Sequence, residues 1–189
     1  MINKKFIQKI KKEYTDRNNE RRQIISLSNI VLHDSKRIIF ALHREDIKTA
    51  ENKFIEIEKI LEKLEIKFSF KRISEEGSYK AAVEEYVEAK MFYFVITGKK
   101  INKIKNLKIN FDSYLGGICD TTGELVRRAT NKAADGDFTE VRKIKDIIED
   151  VMEQLAEFDM TGYLRTKYDQ ARGNLRKIEQ INYEIKIRK

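Results

Sequence analysis

Residues Tyr114 to Arg128 read YLGGICDTTGELVRR, and whether this stretch is helical decides the fold and the chemistry together. Its apolar residues Tyr114, Leu115, Ile118, Leu125 and Val126, with Ala129 just beyond, recur at helical spacing and make one face. Asp120 and Glu124 fall on the other side with Arg127, Arg128 and Asn131; four residues apart, the two acids lie one turn apart on a helix. An ordinary polar face, tied by an i,i+4 ion pair from Glu124 to Arg128, accounts for this pattern. So does half of an acidic site. Gly116, Gly117 and Gly123 speak for the second reading, because each weakens a helix by up to about 1 kcal/mol. Gly117 and Gly123 also flank the acidic face, where a missing side chain admits close approach of backbone or ligand.

The other half lies upstream in EEYVEAKMFYF, Glu84 to Phe94, where Glu85 and Glu88 are three residues apart and again one turn apart. The helix carrying them spans about Tyr79 to Thr97, with Ser74 as its predicted N-cap and Gly98 as the glycine that ends it. It is apolar nearly all round, which predicts burial, and buried carboxylates need partners. An arginine or lysine is one solution. The other is a metal: if the two acidic turns face each other, four carboxylates meet, and oxygen-rich clusters hold Mg²⁺ or Mn²⁺, not zinc.

Further out, the chain reads as helices throughout. It contains no proline, the strongest helix breaker, and only 8 glycines in 189 residues. From about Asn3 to Arg44 a single amphipathic helix is predicted, striped by Ile24, Leu27, Val31, Ile38, Ile39 and Leu42. A second runs from about Asp46 to Leu64. The following Ile66–Lys71 alternates like a strand but has no partner, and reads as loop or frayed helix. Lys99 to Asn110 is a lysine-rich connector, predicted to be the least ordered part, after which Asp112 or Ser113 caps the YLGG helix, which runs to about Ala134. A tight turn at Gly136 leads to a fifth helix ending near Phe158, and a last one spans about Tyr163 to Arg188. The expected fold class is all-α, one domain over residues 1–189.

The formal net charge of +8 fits a polyanionic partner, and a solubilising surface charge fits it equally well. Arg17, Arg21, Arg22, Lys36, Arg37 and Arg44 on the first helix, with Arg127 and Arg128, are the candidate phosphate contacts. One cysteine, Cys119, rules out an intrachain disulfide and reads as a small apolar filler. No apolar run long enough for a membrane span and no signal-type segment appears, so a soluble, cytoplasmic protein is expected. Phosphate-binding glycine loops, zinc spacings and Ser–His–Asp sets are absent. His33 and His43 read as surface or packing residues.

Four segments taken together resemble the translin family and, within it, the branch of translin-associated factor X. They are ERRQIISLSNIVLHDSKRIIFALHR (Glu20–Arg44), EEYVEAKMF (Glu84–Phe92), YLGGICDTTGELVRRATN (Tyr114–Asn131) and KYDQARGNLRKIEQINYEIKIR (Lys167–Arg188). The resemblance implies a seven-helix α fold that assembles into hollow octamers and binds single-stranded RNA or DNA. For the factor-X branch it also implies Mg²⁺-dependent endoribonuclease activity, while translin itself mainly binds. The metal-holding acids of that branch are the two glutamates of its EYVEA motif and the aspartate of its DxTGE motif. These correspond to Glu85, Glu88 and Asp120, with Glu124 a lesser candidate for the same catalytic cluster. The chain departs from the family pattern at His33, where an acid is usual, and in a shorter connector after the EYVEA helix.

Overall fold

A computed structural model describes residues 2–187. Seven helices and no strand occur among the described residues: α1 (Lys4–His43), α2 (Ile47–Phe68), α3 (Phe70–Ile73), α4 (Gly77–Ile96), α5 (Phe111–Ala134), α6 (Phe138–Ala156) and α7 (Gly162–Ile187). The all-α reading holds, and the boundaries follow from identifiable caps. Asn3, Asp46, Asn110 and Asp137 each accept a backbone N–H of the first turn at the starts of α1, α2, α5 and α6. Gly98, at φ +68°, ends α4: Lys99 N–H donates to the Phe94 carbonyl and Gly98 N–H to that of Val95. Gly136, at φ +80°, turns α5 into α6.

The helices pack in series. α1 lies against α2 and α4, α4 against α5, and α5 against α6 and α7, so α4 and α5 form the centre. Along α1 the buried residues Ile24, Ser28, Val31, Ser35, Ile38 and Leu42 form a seam at spacings of three and four. The part of α1 before Ile24 carries Phe6, Ile7, Ile10 and Tyr14 exposed. Phe54 of α2 meets Tyr86 and Tyr93 edge-on at 6.0 and 5.4 Å, and Lys90 stands 4.2 Å over the Phe54 ring.

Three local expectations are corrected. α2 continues to Phe68, with Ser69 N–H bonding to the Glu65 carbonyl, and α3 starts at Phe70. The strand-like alternation is the end of one helix meeting the start of the next across Ser69 at φ +66°, with Ile66 87% exposed. Ser74 does not cap α4; it follows α3, its hydroxyl buried without a partner, and Glu76 takes the N-cap position with no side-chain bond. Asn110, not Asp112 or Ser113, caps α5. The lysine-rich connector is, as expected, the longest stretch without helix among the described residues, yet it is pinned at its middle: Ile104 is buried and its N–H donates to the Tyr114 hydroxyl at 2.9 Å. For α7 the expected end at Arg188 lies outside the described residues.

Candidate metal centre

The site is built where α4 and α5 come closest. Gly117 permits this approach, since a Cβ there would stand 2.7 Å from Val87 Cβ and 2.8 Å from the Glu84 carbonyl oxygen. A methyl group at that point would wedge the two helices apart. Thr121 Oγ1, one turn later, bonds back to the Gly117 carbonyl at 2.7 Å and is fully tucked in. The contact brings the EYVEA turn of α4 over the DTTGE turn of α5.

Glu85, Glu88, Asp120 and Glu124 share one electrostatic neighbourhood. Glu88 is only 9% exposed. Burial first, then the charges of Glu85, Asp120 and Glu124, push its carboxyl up to about 9. Glu85 is half-buried and also raised, by burial above all and then by Asp120 and Glu124, with Lys36 and Lys167 pulling the other way. The carboxylates of Glu85 and Glu88 make no hydrogen bond or salt bridge with a described residue, although the Glu88 backbone carbonyl accepts from Thr121 Oγ1 at 3.4 Å. An arginine or lysine partner, the alternative to a metal, is therefore not in place for this pair.

The α5 acids do have partners. Asp120 is raised by burial, while Lys167 of α7 donates to it and pulls it down. Burial also works against the charge of Glu124, but His43 and Arg127 outweigh it and hold this carboxyl below its ordinary value. His43 Nε2 lies 2.5 Å from Glu124, and its ring packs on Phe92 at 4.8 Å, which leaves Nδ1 buried without a partner. Lys167 also bridges to Glu84 at 2.9 Å, and the Tyr163 hydroxyl donates to Glu84 at 2.5 Å. No three His, Cys, Asp or Glu side chains among the described residues close into a metal-ligating group as they stand. In donor chemistry and charge the four acids fit a hard divalent cation: all are oxygen donors, and the carboxyls of Glu85 and Glu88 have no direct partner among the described residues, only the more distant charges of Lys36 and Lys167.

Sequence reasoning missed Glu84, Lys167, Tyr163 and the part played by His43. Glu84 is the first acid of the quoted EEYVEA run, and Gly116 opposite it was a usable signal: a Cβ there would come within 2.2 Å of Glu84 Oε2. Lys167 and Tyr163 arrive from α7 with no local pattern to mark them. The i,i+4 pair from Glu124 to Arg128 does not form. Arg127 takes Glu124 at 3.5 Å, while Arg128 is buried and bonds Glu45 at 3.2 Å and Glu140 at 3.4 Å. Arg128 is thereby removed from the phosphate-facing set. Arg17, Arg21 and Arg37 are exposed but paired with Glu75, Glu76 and Asp34, and Arg22, Lys36 and Arg44 are exposed without a salt bridge to a described residue. Cys119 is buried and its thiol pushed up to about 12, chiefly by burial, in keeping with a filler.

A bundle of seven helices whose two central members join two acidic turns defines a class: an all-α protein with a carboxylate centre at its core contact. The chain belongs to the translin family, whose model matches residues 19–189. It is 30% identical over 162 residues, covering 83% of this chain and 72% of the other, to an uncharacterized protein of Methanocaldococcus jannaschii. It is 26% identical over 94 residues to Translin of Gallus gallus, which spans 49% of this chain and 41% of the relative. Among solved structures it superposes on AfC3PO with TM-score 0.88 at 24% identity, covering 97% of this chain and 98% of the other. It matches AfC3PO bound to duplex RNA with TM-score 0.83 at 23% identity, covering 97% of both chains. No described helix is long and apolar enough to cross a membrane.

Proposed function

We propose that the protein is a metal-dependent endoribonuclease of the factor-X type. It acts on single-stranded RNA or on RNA strands, with Mg²⁺ or Mn²⁺ held by Glu85, Glu88 and Asp120. The observation that carries this reading is the pair Glu85 and Glu88. Two acids with no direct hydrogen-bond or ion-pair partner among the described residues, on a largely buried helix, are costly to ionise, a cost with no structural return that a bound cation would offset. A divalent ion in such a site lowers the pKa of a bound water and neutralises charge developing on a phosphate. The chain's own residues do the rest. Glu88 in its deprotonated form, Glu85 and Asp120 in place of its bond to Lys167 would hold the ion, and Glu124, lowered by His43 and Arg127, would be a fourth ligand or orient the attacking water. Arg22 and Lys36 on α1 and Arg44 at its C-cap, exposed and without a salt bridge to a described residue, would contact the RNA backbone, and Lys36 lies close enough to Glu85 to lower it. A homo-oligomer, octameric as the family resemblance implies, is part of this reading and would enclose the site.

The Lys167–Asp120 bond and the lack of a closed three-acid group favour a second reading: a non-catalytic, translin-like scaffold that binds single-stranded RNA or DNA. Incubation of single-stranded RNA with the protein separates the two. Internal cleavage that needs Mg²⁺ or Mn²⁺, is stopped by chelation and is lost in Glu85→Gln and Glu88→Gln supports the nuclease. RNA retention with no metal-dependent cleavage supports the scaffold.

A further inference from the structure

Lys167 occupies an unusual position for a cation. Its ammonium donates to Asp120 and, at 2.9 Å, to Glu84, and stands 5.4 Å from the ring centre of Tyr163. Its charge is felt by Glu85 and Glu88 as well. Burial disfavours the ammonium, yet the hydrogen bonds to Asp120, Glu84 and Tyr163 hold its pKa above the ordinary lysine value. The two anchors differ in kind. Glu84 is held by the Tyr163 hydroxyl and by Lys167, and lies over Gly116, where the missing Cβ leaves it room. Asp120 is an acid of the proposed metal set. The lysine can therefore let go of Asp120 without losing its place, because Glu84 keeps it.

We propose that Lys167 is a tethered place-holder: a positioning residue that neutralises Asp120 while no metal is bound and competes with a divalent cation for that carboxylate. This rests on the metal reading of the acid cluster. An ammonium bonded to Asp120 occupies a carboxylate that an incoming dication needs, so removing it strengthens divalent binding through Asp120. A lysine that merely braces the α4–α5–α7 junction gives the opposite result, because its loss loosens the site.

The test is calorimetric titration of the full-length protein with Mn²⁺, comparing wild type, Lys167→Met and Lys167→Gln, each alone and combined with Asp120→Asn. Circular dichroism melting checks that each variant folds. If Lys167→Met does not fold, Lys167→Gln decides, since it keeps a hydrogen-bond donor at the junction and removes only the charge. The expected result is Mn²⁺ binding tightened about tenfold or more by either lysine substitution, with the gain disappearing when Asp120 is Asn. Unchanged or weaker binding in folded Lys167 variants, or a gain that survives Asp120→Asn, overturns the proposal while leaving the metal reading intact. Absence of Mn²⁺ binding in wild type and variants alike overturns both.

Discussion

At Glu88 the carboxyl is pushed up to about 9 by burial, then by Glu85, Asp120 and Glu124. The folded protein thus keeps a proton that the unfolded chain releases near the ordinary value of 4.5. The stability linked to this proton is complete below about 4.5 and is lost as pH rises toward 9. Glu88→Gln, which cannot ionise, should match the wild type in urea unfolding at acid pH and exceed it by roughly 2–3 kcal/mol at neutral pH in metal-free buffer. A gain that stays constant with pH would argue that Glu88 is not the titrating group. The same proton has to leave when Glu88 serves as a ligand. Divalent-cation affinity should therefore rise with pH toward 9, and titrations in buffers of different ionisation enthalpy should show proton release. Binding without proton release would contradict the assignment.

For the central helices, the α4–α5 contact depends on what is missing at Gly117. Alanine there gains up to about 1 kcal/mol of helix propensity but collides with Val87 and the Glu84 backbone. The net expectation is a loss of about 1–3 kcal/mol in chemical denaturation, with weaker divalent binding because the two acidic turns move apart. Gly123→Ala is the contrast. Its Cβ would meet only Asn174 Nδ2 at 3.5 Å, an ordinary contact, so the variant should be as stable as the wild type or more so by a few tenths of a kcal/mol. If both substitutions destabilise equally, close helix approach is not what Gly117 provides. These elements also show what was legible in the sequence. Helices, the buried character of α4 and the two acidic turns, Glu85 with Glu88 and Asp120 with Glu124, follow from spacing and glycines, which are local, whereas the meeting of the two turns is implied only by the family likeness. Caps shifted by a few residues, at Asn110 and Glu76, because several polar residues competed for each start. Lys167, Tyr163 and the inward turn of Arg128 depend on which helix lies beside which, and no periodicity within one segment carries that information.

On the scale of the whole molecule, α1 runs 40 residues and leaves Phe6, Ile7, Ile10 and Tyr14 exposed on its first part. With the family resemblance this motivates the oligomer: light scattering at micromolar concentration should give a mass far above 22.4 kDa, and a monomer would contradict it. The charge of +8, with no base-reading element evident, predicts RNA binding through phosphates, so affinity should fall by orders of magnitude between about 50 and 200 mM salt. A flat salt response would contradict that mode. The central claim, a carboxylate-held metal that cuts RNA, is tested most directly at Asp120. Asp120→Asn preserves shape and removes one negative ligand, and cleavage of single-stranded RNA and its retention on the protein are measured side by side in Mg²⁺. The account predicts that cleavage collapses by about 10²-fold or more while RNA binding persists or improves. Cleavage by Asp120→Asn at the wild-type rate would contradict it.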